Sequence, residues 1–452
     1  MTLRFGTDGV RGVANAELTV ELVTALGRAA VRVIGAGQPF VVGRDTRRSG
    51  PMLEAALIAG ICAEGADVIL AGVLPTPGVS FLARERGAAA AVISASHNPY
   101  EDNGIKLFAA GGRKLTDPIE ARIEEELTTL AEVMPDVGPK GTGVGIASEH
   151  RAALDDYVAH LVGSLQGRRL DGMHVIVDCG NGAAFRAAPL ALRALGAEVE
   201  VLHAAPDGSN INEGCGSTHP EELQAAVLAA HAQIGLAFDG DADRVIAVDE
   251  QGELIDGDQV IAVTAIDLHD RGLLRGNAVV TTVMSNLGLE RALDVYGIEL
   301  VRTPVGDRNV LDELERRDLV LGGEQSGHVI NMLHAGTGDG TLTGIVLLDV
   351  MARRVRPLSE LAAVMTRLPQ VLRNVAFDDP ETLNSDTVFW SRVRDVDDEL
   401  GADGRVLVRL SGTEPLARVM VESRDLAEAE SAADRLVALI EHVARAKGPA
   451  GP

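Results

Sequence analysis

Short apolar runs along this chain alternate with stretches whose apolar residues recur at helical spacing. The runs at residues 40–43, 175–178 and 278–282 are rich in β-branched residues, and a polar or glycine-rich turn follows each of them. Helical spacing comes after these turns, most clearly over residues 53–64 and 183–195. Strands that alternate with helices form parallel sheets with helices on their faces. The pattern therefore predicts an α/β fold.

The pattern changes towards the end of the chain. Strand-like runs over residues 405–410 and 418–422 precede an amphipathic helix over 426–444, which predicts a small α+β unit. Residues 134–145 are rich in glycine and proline and indicate a connector, and the poor helical pattern after residue 368 indicates the last linker.

We therefore predict three α/β domains of the βα type, with mixed or parallel sheets, plus a smaller C-terminal α+β domain, all around one central cleft. The predicted boundaries are 1–148, 149–250, 251–367 and 368–452.

Charge and composition narrow the function. The 452 residues carry a formal net charge of −25, which repels nucleic acid, and no basic arm is present. A small anionic substrate is also repelled at long range, so a phosphate site must be built locally from arginine, lysine, backbone N–H groups or a metal. The sequence has no signal peptide and no apolar stretch of about 18 residues, so we expect a cytoplasmic protein without a membrane partner.

The most informative segment is residues 94–106, Ser-Ala-Ser-His-Asn-Pro-Tyr-Glu-Asp-Asn-Gly-Ile-Lys. It follows an apolar run that ends in Val92-Ile93 and reads as a buried strand. The turn thus presents the Ser96 hydroxyl at a strand end, where open α/β sheets place their chemistry. A serine in this position can carry a covalent group. Equally, the segment alone is consistent with a Ser/Asn-rich turn that satisfies its own backbone.

His97 stands next to Ser96, which raises the alternative of a serine hydrolase. Adjacent side chains on an extended backbone point to opposite faces, so we expect them not to pair as base and nucleophile. No Gly-x-Ser-x-Gly elbow surrounds Ser96. We therefore interpret His97 as a local hydrogen-bonding residue.

Three carboxylates, Asp239, Asp241 and Asp243, follow the apolar run 234–238 at alternate positions. Such oxygens can converge on one point and suit Mg²⁺. Residues 245–248 have the pattern of a strand, but they would form the second half of the twelve-residue loop of an EF-hand that began at Asp239. An EF-hand is therefore excluded. Three like charges in five residues repel each other, which favours a metal site over a solvated acidic turn.

Four further segments carry candidate binding residues. Arg409, Ser411, Gly412, Thr413 and Arg418 are typical of a phosphate cradle. Glu324, Ser326 and His328 on one tight turn suit sugar hydroxyl groups, although a turn with a capping serine is the alternative. Arg11 and Arg302 are further candidates for anion contacts, against the alternative that single arginines are usually solvated surface.

Four of these loops, in this order, resemble those of the α-D-phosphohexomutase superfamily, and the similarity extends from Arg4 to Glu422. Ser-Ala-Ser-His-Asn-Pro is similar to its phosphoserine loop, Asp-Gly-Asp-x-Asp-Arg to its magnesium loop, Gly-Glu-Gln-Ser-Gly-His to its sugar loop and Ser-Gly-Thr-Glu-Pro to its phosphate loop. Gln325 and the N-terminal Phe-Gly-Thr-Asp-Gly-Val-Arg-Gly are typical of its bacterial phosphoglucosamine mutase branch. Ala242 and Leu410 depart from the common Gly and Lys.

The resemblance implies an isomerase that interconverts glucosamine 6-phosphate and glucosamine 1-phosphate for amino-sugar and cell-wall precursor synthesis. Ser96 would carry the phosphoryl group, pass it to the sugar to give a 1,6-bisphosphate, and regain the other phosphate. Mg²⁺ is the implied cofactor and a hexosamine or glucose 1,6-bisphosphate the implied activator. The implied partner is a phosphorylated hexosamine, and the resemblance favours a homodimer.

The resemblance also implies residue roles. The implied catalytic residues are Ser96, Lys106, His97 and Arg11; the metal ligands are Ser96, Asp239, Asp241 and Asp243; the substrate-binding residues are Arg244, Arg302, Glu324, Ser326, His328, Arg409, Ser411, Gly412, Thr413 and Arg418. Two alternatives remain open: a phosphomannomutase or phosphoglucomutase, and a non-catalytic sugar-phosphate-binding protein. The intact serine and aspartate triplet argue against the second.

Overall fold

The computed structural model describes residue 6 and residues 9–132, 138–377, 380–410 and 416–446. Three of the predicted phosphate-loop residues, Ser411, Gly412 and Thr413, lie outside the described residues. The chain folds into two units. The first unit comprises residues 1–284 and 297–364, and the second comprises residues 285–296 and everything from residue 365 onward.

The first sheet of the first unit carries the serine loop. Its strands are β1 (Val10–Val13), β2 (Phe40–Arg44), β3 (Val68–Val73), β4 (Ala89–Ile93), β5 (Asp102–Ala109), β6 (Arg113–Lys114) and β7 (Ala147–Glu149). The order is β1-β5-β4-β2-β3-β7, with β6 on β5; β2, β3, β4 and β7 run parallel, and β5 is antiparallel to its neighbours. Its helices are α1 (Val20–Ile34), α2 (Gly50–Ala63), α3 (Thr76–Arg86) and α4 (Asp117–Glu132).

The first two helices pack closely because glycines face each other. A Cβ at Gly60 would collide with the carbonyl oxygen of Thr24, and one at Gly27 with that of Leu57. This close approach covers one face of β2 and β4 with a core of small and β-branched residues, so the strand before Ser96 is fully buried.

The second sheet ends in the acidic loop. Its strands are β8 (His174–Asp178), β9 (Glu198–Leu202), β10 (Ile234–Phe238), β11 (Val245–Asp249) and β12 (Leu254–Ile255), in the order β12-β11-β10-β8-β9. Its helices are α5 (Ala153–Gly163), α6 (Ala184–Ala194) and α7 (Glu221–Ala230). Because β10 and β11 pair antiparallel from Phe238 opposite Val245, residues 239–244 form a hairpin turn.

The third sheet consists of β13 (Ala278–Thr282), β14 (Glu299–Thr303), β15 (Leu321–Gly323) and β16 (Val329–Asn331), in the order β14-β13-β15-β16. Its helices are α8 (Gly257–Asp270), α10 (Asp307–Arg317), α11 (Gly340–Arg354) and α12 (Leu358–Ala362). Asp256 begins α8 with a capping box closed by Gln259.

The second unit is a three-stranded antiparallel sheet with helices. Its strands are β17 (Gln370–Ala376), β18 (Gly404–Leu410) and β19 (Leu416–Ser423), in the order β17-β19-β18. Its helices are α13 (Pro380–Ser385), α14 (Thr387–Leu400), α15 (Leu426–Ala446) and α9 (Leu287–Asp294), the last from the middle of the chain. The α9 segment is fixed there by Asn286, whose side chain makes two hydrogen bonds of 3.0 Å to the backbone of Leu368.

The predicted fold class is confirmed: three α/β sheets are followed by a smaller α+β unit. Strand β17, which begins at Gln370 within the stretch whose helical pattern is poor, was not predicted from the sequence. The domain boundaries stay a prediction. No helix among the described residues is long and apolar enough to cross a bilayer.

Candidate active site

Ser96 lies three residues beyond β4 and is buried. Its Oγ donates a hydrogen bond of 2.5 Å to Oδ2 of Asp239, so the serine loop and the acidic hairpin meet directly. Its backbone has a φ of 53°, in the left-handed region that non-glycine residues rarely adopt. Such backbone strain persists where the surroundings enforce it, which is common at functional sites.

The unusual backbone of Ser96 overturns one prediction. The extended backbone expected from the sequence would keep the Ser96 and His97 side chains apart. Because φ is positive at Ser96, Nδ1 of His97 instead lies 3.2 Å from Ser96 Oγ. Burial and the nearby Arg244 and Arg11 lower the pKa of His97, so the neutral ring is favoured beside the hydroxyl.

Arg47 holds the serine loop from behind, and sequence reasoning missed it. Its side chain is fully buried and binds Asp45 through Nε at 2.8 Å. The guanidinium also donates to four backbone carbonyl groups of the loop, those of Ser96, Asn98, Pro99 and Asp102. Asp45 in turn accepts from Ser94 Oγ at 2.6 Å. The only sequence signal was an Arg-Asp-Thr-Arg turn directly after a strand.

The three aspartates of the hairpin converge. All three are buried, and one carboxylate oxygen of each lies within 4.8 Å of the others. Lys106 on β5 lies between two of them, with its Nζ 2.8 Å from Asp241 and 3.1 Å from Asp243. Thr76, at the start of α3, donates to Asp241 at 2.6 Å.

This triplet fits a divalent cation. The second oxygen of Asp241 is buried and accepts no hydrogen bond from the described residues, and that of Asp243 has longer contacts, 3.6 Å to His328 and 3.7 Å to Arg244. A buried acceptor without a partner is costly. Burial, together with the charges of Asp243 and Asp241, raises the pKa of Asp239 well above its usual range. A cation would remove both penalties. Ala242, between the ligands, has a φ of 57°, which explains why glycine suits this position.

A groove of about 420 Å³ adjoins Asp243, the last aspartate of the triplet. Its walls include Arg11 from β1, His97 from the serine loop, Arg244 from the acidic hairpin and Glu324 from the turn after β15. The first unit thus brings two arginines, a histidine and three carboxylates, Asp243, Asp307 and Glu324, to one groove.

The turn after β15 contains the predicted sugar-binding residues. Glu324 accepts a hydrogen bond from the backbone of Gly306 at 3.2 Å, and Ser326 is exposed. His328 is buried, with Nδ1 3.6 Å from Asp243 and Nε2 3.5 Å from Asp307. Burial lowers the pKa of His328, but Asp243 and Asp307 outweigh it and the net pKa is raised. His328 therefore lies behind the acidic hairpin, whereas Glu324 faces the groove.

The remaining predicted arginines lie on strands. Arg302 lies on β14 and pairs across the sheet with Thr281. In the second unit, Arg409 on β18 lies directly opposite Arg418 on β19. Burial and the charge of Arg418 lower the pKa of Arg409. Like charges placed opposite each other are unfavourable unless an anion lies between them.

Comparison with known proteins agrees with this geometry. Four domains described as alpha/beta/alpha domains I, II and III and the C-terminal domain of phosphoglucomutase/phosphomannomutase match residues 2–134, 155–252, 256–368 and 358–439. A phosphoglucosamine mutase from Moorella thermoacetica is 53% identical over 431 residues, which cover 94% of this chain and 96% of that protein. One from Corynebacterium jeikeium is 52% identical over 448 residues, covering 97% and 99%.

A solved structure is also similar. A phosphoglucomutase/phosphomannomutase family protein from Burkholderia thailandensis superposes with a TM-score of 0.81 at 28% identity, covering 99% of this chain and 98% of that one. The four matched domains and the near-complete relatives show that the chain is an isomerase of the phosphoglucomutase/phosphomannomutase family, the α-D-phosphohexomutases, and belongs to its phosphoglucosamine mutase branch.

Proposed function

We propose that this protein interconverts glucosamine 6-phosphate and glucosamine 1-phosphate, with the Ser96 hydroxyl as the carrier of the phosphoryl group. The observation that carries the proposal is the buried Ser96 Oγ, 2.5 Å from the first of three converged aspartates. The choice of glucosamine is supported by relatives of that name that are about half identical over nearly the whole chain.

Each phosphoryl transfer breaks one P–O bond, forms another and transfers one proton. The bond between phosphorus and Ser96 Oγ breaks while the free sugar hydroxyl forms a bond to the same phosphorus. The hydroxyl loses its proton and Ser96 Oγ gains one, so a base close to both oxygens can relay it. We assign this relay to His97, because its Nδ1 lies 3.2 Å from Ser96 Oγ and its lowered pKa keeps the ring neutral. The second half-reaction returns the other phosphate to Ser96.

Positive charge must offset the phosphates in a chain of net charge −25. Lys106 forms ion pairs with two carboxylates, so we assign it an electrostatic role next to the transferring group rather than proton transfer. Arg11 and Arg244 line the groove and would contact substrate phosphate.

We further propose that Asp239, Asp241 and Asp243 hold Mg²⁺, because three converged carboxylates, two of them with a buried oxygen that accepts no hydrogen bond from the described residues, match its preference for hard oxygen ligands. When bound, the ion would supply positive charge beside the phosphate on Ser96 as charge develops on the transferred group. We expect a hexosamine or glucose 1,6-bisphosphate to act as activator, because it restores phosphate to Ser96 whenever the intermediate escapes.

The sugar and its second phosphate need their own contacts. Glu324, at the groove wall, would accept hydrogen bonds from sugar hydroxyls, with Ser326 beside it. Arg409 and Arg418 form a facing cationic pair in the second unit and would hold the phosphate that is not being transferred. The proposed homodimer and cytoplasmic location remain predictions.

The test combines mass spectrometry with substrate-resolved kinetics. We expect one phosphate on Ser96 after incubation with glucose 1,6-bisphosphate, and coupled assays should show fastest turnover of glucosamine 6-phosphate among the glucosamine, mannose and glucose 6-phosphates. Faster turnover of mannose 6-phosphate or glucose 6-phosphate would reassign the substrate. An unphosphorylated Ser96 with no turnover of any of the three would indicate a binding protein instead.

A further inference from the structure

A second cavity, of about 280 Å³, lies within the first unit, away from the groove residues. Its walls come from α3, the turn before β6, α5, α10 and the loop after β16. We call it the junction cavity, and the residues that define it here are Phe81, Arg84, His160, Leu311, His334 and Thr337. Three predicted domains thus contribute to one cavity.

One wall of the junction cavity is flat and aromatic. The rings of Phe81 and His160 stack, with centroids 4.3 Å apart and an interplanar angle of 17°. The Arg84 guanidinium lies 5.8 Å from the centre of the Phe81 ring and donates to the carbonyl oxygen of His334 at 3.2 Å. Leu311 and Met332 add aliphatic surface. An aromatic ring would pack favourably against this aromatic and aliphatic surface.

The acidic groups of the junction cavity are already matched. Glu315 pairs with Arg113 at 2.9 Å. Asp339 accepts hydrogen bonds from Tyr157 Oη and from the backbone of Leu342, both at 2.9 Å. Arg84 has its carboxylate neighbour, Glu85, at 3.9 Å and outside the lining. Burial, together with the charges of Arg84 and His334, lowers the pKa of His160 to about 4.

A buried hydroxyl in the junction cavity lacks a partner. Thr337 is 3% exposed and lines the cavity, and its Oγ1 makes no hydrogen bond with any of the described residues. A buried polar group without a partner is unfavourable. A ligand oxygen placed beside Thr337 would remove this penalty.

The floor of the junction cavity also supports the acidic hairpin. The backbone N–H of Gly338 donates to Nε2 of His328 at 3.2 Å, and that of Gly340 donates to the carbonyl oxygen of Ala242 at 3.0 Å. A Cβ at Gly338 would collide with the His328 ring, so the backbone of Gly338 packs closely against this ring. A shift of residues 337–340 would therefore move both His328 and the residue between two metal ligands.

We propose that the junction cavity binds a small aromatic anion, with its ring beside Phe81 and His160, its anionic group at Arg84 and an oxygen at Thr337, and that occupancy changes the mutase rate. The proposed binding of an aromatic anion rests only on the residues that line the junction cavity. The effect on rate rests on the proposed function, because it is transmitted through residues 337–340 to the acidic hairpin.

The test uses the full chain and 8-anilinonaphthalene-1-sulfonate, a fluorescent aromatic anion. We expect one saturable site, and at least tenfold weaker binding in Arg84→Ala and in Ala335→Trp, which fills the cavity. Arg84 is exposed, so its variant should fold even if the tryptophan variant does not. Arg86→Ala is the matched control, since Arg86 lies on the same helix but contacts His150 rather than the cavity; its binding should be unchanged.

Saturating probe should then change kcat for glucosamine 6-phosphate at least twofold in the wild type and not in Arg84→Ala. Equal probe affinity in wild type and Arg84→Ala, displacement of the probe by glucose 1,6-bisphosphate, or no saturable binding would overturn the site. Cavity-dependent binding with unchanged kcat and KM would overturn the coupling. If no sugar phosphate is turned over at all, the proposed function fails while the binding result stands.

Discussion

Replacing Arg47 with methionine tests how the reactive serine is held. The methionine fills apolar space but supplies neither charge nor donors, so Asp45 loses its partner and the loop carbonyls lose a common donor. Breaking a buried ion pair by removing one partner costs about 3–5 kcal/mol. We expect Arg47→Met to lower the free energy of unfolding by about this amount. Mutase activity should fall further than the loss of folded protein explains, because Ser96 is no longer fixed.

The loss of folding stability in Arg47→Met should depend on pH. Burial raises the pKa of Asp45, and Arg47 acts against this shift. Without Arg47 the pKa of Asp45 in the folded state rises further, so this carboxyl group is more easily protonated. The loss of folding stability in the variant should therefore be smaller near pH 5 than near pH 8.

The assay is a urea titration followed by far-UV circular dichroism, with kcat measured on the same samples. Arg48→Met is the matched control. Arg48 follows Arg47 in the chain, but its side chain is exposed, and substitutions of exposed side chains usually change stability by less than about 0.5 kcal/mol. If Arg47→Met unfolds within about 1 kcal/mol of Arg48→Met and retains its kcat, the guanidinium does not hold the loop.

The other predictions concern four further side chains. Ser96→Ala should abolish mutase activity and phosphate incorporation while its circular dichroism spectrum stays unchanged; residual turnover would place the carrier elsewhere. Asp241→Asn should weaken Mg²⁺ binding at least tenfold by calorimetry, and unchanged affinity would remove Asp241 from the ligand set. Arg409→Ala should raise KM for glucosamine 6-phosphate at least tenfold with kcat within about threefold; a change in kcat alone would contradict a role in holding phosphate. Burial raises the pKa of Asp339 from 3.8 to about 6, so the folded state retains a proton that the unfolded state has released, and this group should reduce the stability of the wild type by on the order of 2 kcal/mol as the pH rises from about 4 to about 6. Asp339→Asn should remove that slope in urea titrations across this range, and an unchanged slope would contradict the assigned pKa.

The residue types and their positions after strands were enough to predict the core of the site. Ser96 follows a buried strand, and the alternate spacing of the three aspartates in a turn predicted their convergence, which the hairpin between β10 and β11 produces. Local pattern sufficed here because each group of residues is contiguous. Lys106, which lies on another sheet, occupies one oxygen of Asp241 and one of Asp243. The spacing of the aspartates along the chain cannot predict this contact.

The failures have equally local causes. The Ser96–His97 contact was missed because an extended backbone was assumed where φ is positive. Arg47 was missed because an arginine in a polar turn gives no sign of being buried, and its partners are carbonyl groups that every residue has. Strand β17 was hidden by the prolines at 369 and 380, and also because exposed Leu372 and half-buried Arg373 interrupt the alternation between the buried Val371 and Val375.

Helix α9 restricts how this chain can be divided. A fragment that starts at residue 365 lacks the backbone N–H of Leu287, which donates to the buried Glu422 carboxylate at 3.1 Å, and the carbonyl group of Ser285, which accepts from Arg405 at 2.8 Å. A fragment that stops at 364 keeps α9 but exposes Leu289 and Leu293, which are fully buried in the intact chain. Gene fusion or recombination that exchanged only the last domain would therefore separate a helix from the sheet it completes, and a viable exchange has to carry residues 285–296 along with it.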